Sequence, residues 1–238
     1  MRKGLIVCSL ILVSGLFLFT SVQAGEQKWC PLCSMNLKMF WKTTNWLTFS
    51  DGSRTGYCSI HCASKVYQKR ATDIGRWEVA DYDTKRLINA YKAHFLIGSD
   101  LAGTMTAVSK LAFASLDVAK RYQKEHGGTI GTLDDGLRRA IEGRGEDMAM
   151  IKKKVAKMPA MGKKLAGKHG CYKCHGEGGT GGAAIDWNTK EFAKSMDNRV
   201  KIKKAIMGGT EKMEGYEGKL GEKELHAITI YVWTQRAK

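Results

Sequence analysis

Residues 5–19 form an apolar run, preceded by Arg2 and Lys3 and followed by the small-residue pattern Val22-Gln23-Ala24. This order predicts a Sec-type signal peptide over 1–24, cut after Ala24. The run is short for a membrane span, so membrane contact is expected only if the segment stays uncleaved. Further on, Trp46-Leu47-Thr48-Phe49 and Thr55-Gly56-Tyr57 alternate apolar and polar positions around Asp51-Gly52, the pattern of a hairpin. Ser59 stands where it opens a helix, which sets Cys58 at a strand end and Cys62 one helical turn later. Residues 77–85, 93–98 and 111–114 read as strands. Ser115 caps a helix through Glu125, closed by Gly127-Gly128. Residues 129–133 return as a strand, and Asp134 and Asp135 open a helix to about Ile141. Strands outnumber helices and hairpin connections dominate, so this half is α+β. The later pattern is helical throughout: a basic stretch over 143–160, a helix over 161–170, and Leu225, Ile228 and Val232 at helical spacing near the end.

Composition narrows the class. With 43% hydrophobic and 26% charged residues the chain is an ordinary globular protein, which excludes intrinsic disorder and a multi-span membrane protein. The net charge of +16 is uneven: residues 151–238 hold 19 basic against 9 acidic side chains. Lys152, Lys153, Lys154, Lys157, Lys163, Lys164 and Lys168 make a basic face suited to docking an acidic-surfaced periplasmic redox partner, or simply to solvent. Export excludes nucleic acid as a partner. No Ser/His/Asp arrangement, phosphate loop or catalytic carboxylate pair is present, so the expectation is a non-enzyme.

Apart from Cys8, the cysteines fall into three local pairs, Cys30/Cys33, Cys58/Cys62 and Cys171/Cys174. The last belongs to Cys171-Tyr172-Lys173-Cys174-His175, a C-x-x-C-H motif. Two thiols at this spacing add to the two vinyl groups of one porphyrin, and the next histidine sits under the iron. One covalent haem c is expected here, with Gly170 and the Gly-rich 176–182 letting the chain approach the ring. Residues 161–238 resemble a class I cytochrome c, which implies a small all-α electron-transfer domain with Met213 as distal ligand. Glu214 stands where that family usually has proline, and Met207 and His226 remain alternative ligands.

Cys30 and Cys33 lie on a short knuckle that can face Cys58 and Cys62 as a four-thiolate site. Copper, zinc or two disulfides satisfy these spacings. His61, between Cys58 and Cys62 on a short helix, is expected to point to solvent. Four blocks in 29–140 resemble the NosL family of copper-binding accessory proteins: Cys33-Ser34-Met35-Asn36-Leu37; Phe49-Ser50-Asp51-Gly52; Val79-Ala80-Asp81-Tyr82 with residues 93–99; and Leu111-Ala112-Phe113 with 119–128. The resemblance implies Cu(I) held by Cys33, Met35 and Met105, with Ala102 where a second loop methionine is usual. Soft thiolate and thioether ligands suit Cu(I) independently. The expected organisation is a signal peptide (1–24), a NosL-like metal-binding domain (25–142), a basic helical linker (143–160) and a monohaem cytochrome c domain (161–238). The expected function is periplasmic Cu(I) chaperoning coupled to haem electron transfer, serving nitrous oxide reductase or its maturation machinery. The alternative is an electron-transfer cytochrome whose N-terminal domain is a zinc- or disulfide-stapled docking module.

Overall fold

The computed structural model describes residues 27–236, so the expected signal peptide lies outside the described residues. Seven strands form two antiparallel sheets in the first half. Strands β1 (Asn45–Phe49), β2 (Arg54–Tyr57), β3 (Ile74–Ala80) and β4 (Leu87–Asn89) are ordered β2-β1-β3-β4. Strands β5 (His94–Ile97), β6 (Lys110–Phe113) and β7 (Thr129–Gly131) are ordered β6-β5-β7. The β1–β2 hairpin closes where Asp51-Gly52 predicts, with Gly52 in the left-handed region at φ 79° and the Ser53 N–H donating to Asp51 Oδ1 at 2.8 Å. Alternate β1 residues Asn45, Leu47 and Phe49 point inward. Asn45 accepts the indole N–H of the fully buried Trp77 at 2.9 Å, which satisfies the polar atom inside the sheet packing.

Helices α1 (Ile60–Arg70), α2 (Leu116–His126) and α3 (Leu133–Glu142) cover these sheets. Their ends follow local chemistry. Ser115 caps α2 through the Val118 N–H, and Gly127 ends it at φ 69°. Thr132 and Asp135 form a reciprocal capping box at α3. That box starts the helix at Leu133, so β7 ends two residues before the strand boundary expected from sequence. Cys58 follows the end of β2 and Cys62 lies in the first turn of α1.

The second half is built of α4 (Arg144–Val155), α5 (Met158–Lys168), α6 (Tyr172–His175), α7 (Lys190–Ser195), α8 (Arg199–Gly208) and α9 (Glu222–Gln235), with no strand among its described residues. Helix α5 begins at Met158 with Pro159 in its first turn, three residues earlier than expected. It crosses α9 closely at Gly162, where an added Cβ would strike the Ala227 carbonyl and Tyr231. Two large apolar cores result. One gathers Leu47, Trp77, Phe95 and the four N-terminal cysteines. The other gathers Ala166, Trp187, Phe192, Ile202, Leu225, Ile228, Tyr231 and also Trp29, which comes from the opposite end of the chain. A smaller cluster packs α2 on β5 and β6. The basic stretch over 143–160 is helical but not a free tether, because Asp147 of α4 is buried against α1.

Candidate metal centre and helical cavity

Cys30, Cys33, Cys58 and Cys62 are all buried, and their four Sγ atoms lie within 4.8 Å of one another. Cys33 and Cys58 approach to 3.3 Å and Cys58 and Cys62 to 3.8 Å. A metal with ~2.3 Å metal–sulfur bonds needs tetrahedral sulfurs about 3.8 Å apart, so the cluster has the size of one ion. The strand-to-helix step of β2 and α1 brings Cys58 and Cys62 together. The knuckle brings in the other two through Ser34, which turns the chain at φ 62° and donates its N–H to the Cys30 carbonyl at 2.8 Å. All four are free thiols, as are Cys171 and Cys174. Hydrogen bonds from Cys33, Cys58 and Cys62 pull Cys30 far below the ordinary thiol range, while contacts with Cys30 and Cys33 push Cys58 and Cys62 well above it. A soft metal that binds here displaces the thiol protons as it does so.

Met35 and Met105 are half-buried and pack against the core that contains these cysteines. Met105 sits at φ 58°, an unusual backbone state for a non-glycine residue. His61 differs from expectation: its side chain is 1% exposed, not solvated. Its Nδ1 stands 2.7 Å from Asp147 Oδ2, and its Nε2 is buried without a hydrogen-bond partner. Burial lowers the His61 pKa, so the neutral ring donates Nδ1–H to the carboxylate. Asp147 Oδ1 also accepts the Thr106 hydroxyl at 3.1 Å and the Ala107 N–H at 2.7 Å. The Met105 loop is thereby tied to α4. Sequence periodicity could not reveal this, since Asp147 sits in a stretch read as linker.

The second feature is a cavity of about 830 Å³, walled by Cys171, Cys174, His175, Trp187, Phe192, Met196, Ile202, Ile206, Met213, Tyr216, Ile228 and Val232 among others. Cys171 is half-buried, and burial raises its thiol pKa. His175 Nδ1 lies 3.0 Å from the Ile185 carbonyl. A carbonyl only accepts, so Nδ1 carries the proton and Nε2 keeps its lone pair for a ligand. Met213 reaches the wall; Met207 and His226 do not line it, whereas Met196, unmarked by sequence, does. Helix α9 turns Ile228 and Val232 to the cavity, and Tyr231 instead meets the Tyr172 hydroxyl at 3.1 Å within the core. Two thiols, one imidazole with a free lone pair and an apolar enclosure of this size suit a covalently attached porphyrin.

Comparison with known proteins places the first half. A stretch of 96 residues, 40% of this chain, is 27% identical to the HTH-type transcriptional repressor CutR of Bacillus subtilis (strain 168). The chain spans about half the length of that curated relative. The crystal structure of the copper chaperone NosL from Shewanella denitrificans is similar at 18% identity and a TM-score of 0.40, covering 46% of this chain and 90% of that one. A family model described as NosL matches residues 21–139, half of the 238 residues. The chain therefore belongs to the NosL family.

Proposed function

We propose that the protein is a periplasmic Cu(I)-binding accessory protein whose C-terminal half carries one covalently attached haem c for electron transfer. The observation that carries the copper reading is the buried set of four sulfurs within 4.8 Å, in a chain of the NosL family. Thiolates favour Cu(I) over hard cations, and the thioethers of Met35 and Met105 beside the same core extend that preference to the path by which cargo enters or leaves. The client we infer is nitrous oxide reductase or its maturation machinery.

In the second half, Cys171 and Cys174 would hold a haem covalently, His175 and Met213 would offer ligands to its iron, and the group would supply one-electron exchange. The residues themselves hold, orient and exclude water. The Ile185 carbonyl fixes the His175 tautomer, and Trp187, Phe192 and Ile228 keep the cavity apolar. The basic surface of this half suits an acidic redox partner.

One observation favours a second reading. Four thiolates in a tetrahedron are also a structural zinc site, which would make the first half a docking module for an electron carrier. Elemental analysis of protein purified anaerobically, with a Cu(I) titration against a chromophoric competitor, separates the two. One iron and one tightly held copper per chain, with copper lost in Cys33→Ala and Cys58→Ala, supports the chaperone. Iron with tightly held zinc and no exchange for Cu(I) overturns it.

A further inference from the structure

The two halves meet at the thiol centre itself. The loop carrying Cys30 and Cys33 is a tight hairpin in which Trp29 and Asn36 face each other as an antiparallel bridge. The Cys30 N–H donates to the Met35 carbonyl at 2.9 Å, and the Leu37 N–H to the Lys28 carbonyl at 3.0 Å. Both feet of this hairpin rest on one carboxylate of the other half. Trp29 Nε1–H donates to Glu222 Oε1 at 3.2 Å and the Asn36 amide to Glu222 Oε2 at 3.2 Å. At the tip, the Arg199 guanidinium donates to the Leu32 carbonyl at 2.8 Å. Glu222 is fixed in turn by Lys203 Nζ at 2.5 Å, and Lys203 is fully buried.

Glu222 begins α9, the helix that also gives Ile228 and Val232 to the cavity wall. Trp29, covalently next to Cys30, shares an apolar core with Ile202 and Ile228, both of which line the cavity. An ion pair whose lysine is fully buried is a costly way to hold an interface that apolar packing would hold at least as well; what it adds is a defined register. The register here is that of two metal-binding thiols against the cavity.

We propose that Glu222 and Arg199 are positioning residues through which the C-terminal half sets the geometry of Cys30 and Cys33, so that metal at the four thiolates and the oxidation state of the haem are thermodynamically linked. This rests on the function proposed above. Four thiolates around a monovalent or divalent ion leave a net negative charge, which favours ferric over ferrous iron. Loading the thiols therefore lowers the haem midpoint potential, and by reciprocity reducing the haem weakens metal binding by the same factor. A one-electron input from a redox partner then serves to release cargo.

The test uses the full-length holoprotein. Zinc, which keeps one valence, is the probe for a spectroelectrochemical titration of the haem with and without metal. Zn(II) and Cu(I) affinities are then measured by chelator competition with the haem held ferric or ferrous. The expected result is a lower midpoint potential on zinc loading and a Kd several-fold weaker in the ferrous protein. Trp29→Phe, which removes the N–H donor together with part of the ring system, and Arg199→Ala, at a half-buried position, are expected to raise the Kd several-fold and shrink the potential shift. Arg199→Ala keeps the readout if Trp29→Phe folds poorly. Metal and haem both bound, with potential unchanged by loading and affinity unchanged in both variants, overturns this linkage alone. Failure of the wild-type thiols to take up either metal overturns the linkage and the proposed function together.

Discussion

The imidazole of His61 and the carboxylate of Asp147 meet at 2.7 Å in the interior, each no more than 2% exposed. Asp147 is the common acceptor for α1, through His61, and for the Met105 loop, through Thr106 and Ala107. Asp147→Ala leaves the buried His61 N–H unpaired and releases the Ala107 N–H, while the Thr106 hydroxyl keeps the Val108 carbonyl, and is expected to destabilise the N-terminal half by about 2 kcal/mol. Met148→Ala, one residue on and 47% exposed, should change stability by less than about 0.5 kcal/mol. Urea unfolding of the two variants measures the contrast.

Met35 and Met105 offer sulfur that Cu(I) accepts readily and zinc does not. Met35→Leu/Met105→Leu conserves volume, so folding should hold. Cu(I) capture should weaken by about tenfold while zinc binding stays unchanged. Parallel chelator competitions with the two ions check this, and equal losses for both would assign the methionines to packing.

The crossing of α5 and α9 depends on Gly162, whose missing side chain lets the Ala227 carbonyl approach. Gly162→Ala improves intrinsic helix propensity by up to about 1 kcal/mol, yet it forces the helices apart. The net expectation is a loss of about 2 kcal/mol from overpacking. Thermal unfolding followed by far-UV circular dichroism measures it.

His226 is half-buried close to Lys203 and Arg199, and desolvation, with those two cations, pushes its pKa down to about 4. In the unfolded chain it titrates near ~6.5. Above that value folding is indifferent to the group. As pH falls from about 6.5 to 4 the unfolded chain takes up a proton that the folded chain refuses, so stability is lost across that window. The loss should amount to about 2–3 kcal/mol, and His226→Leu should lack this part of the acid sensitivity. Denaturation midpoints of the two proteins between pH 7 and 4 test the difference.

Features governed by near neighbours were legible in the sequence. Asp51-Gly52 marks the β1–β2 turn, and Ser115 with Gly127 marks both ends of α2, because turn and cap chemistry acts over a few residues. The convergence of Cys58 and Cys62 follows from a strand handing over to a helix, and the C-x-x-C-H motif carries its own geometry. Features governed by distant partners were not legible. Strand β4 has only three residues and no alternation to announce it. The burial of His61 depends on an aspartate 86 positions away, and the seating of Trp29 on a glutamate 193 positions away. No local pattern encodes such pairings, which arise only when separately formed elements pack.

Trp29 also fixes an order of events. A chain made from its N-terminus emits the thiol hairpin first and α8 and α9 last, yet the hairpin's tryptophan belongs to the core those helices complete. Until then the hairpin faces the entropy of a loop spanning nearly the whole described chain. The hairpin of Cys30 and Cys33 is therefore fully seated only after α8 and α9 have been made and have packed on Trp29. A metal ion arriving earlier encounters Cys58 and Cys62 facing a hairpin that Glu222 and Arg199 do not yet hold. The architecture thus favours loading of finished molecules over nascent ones.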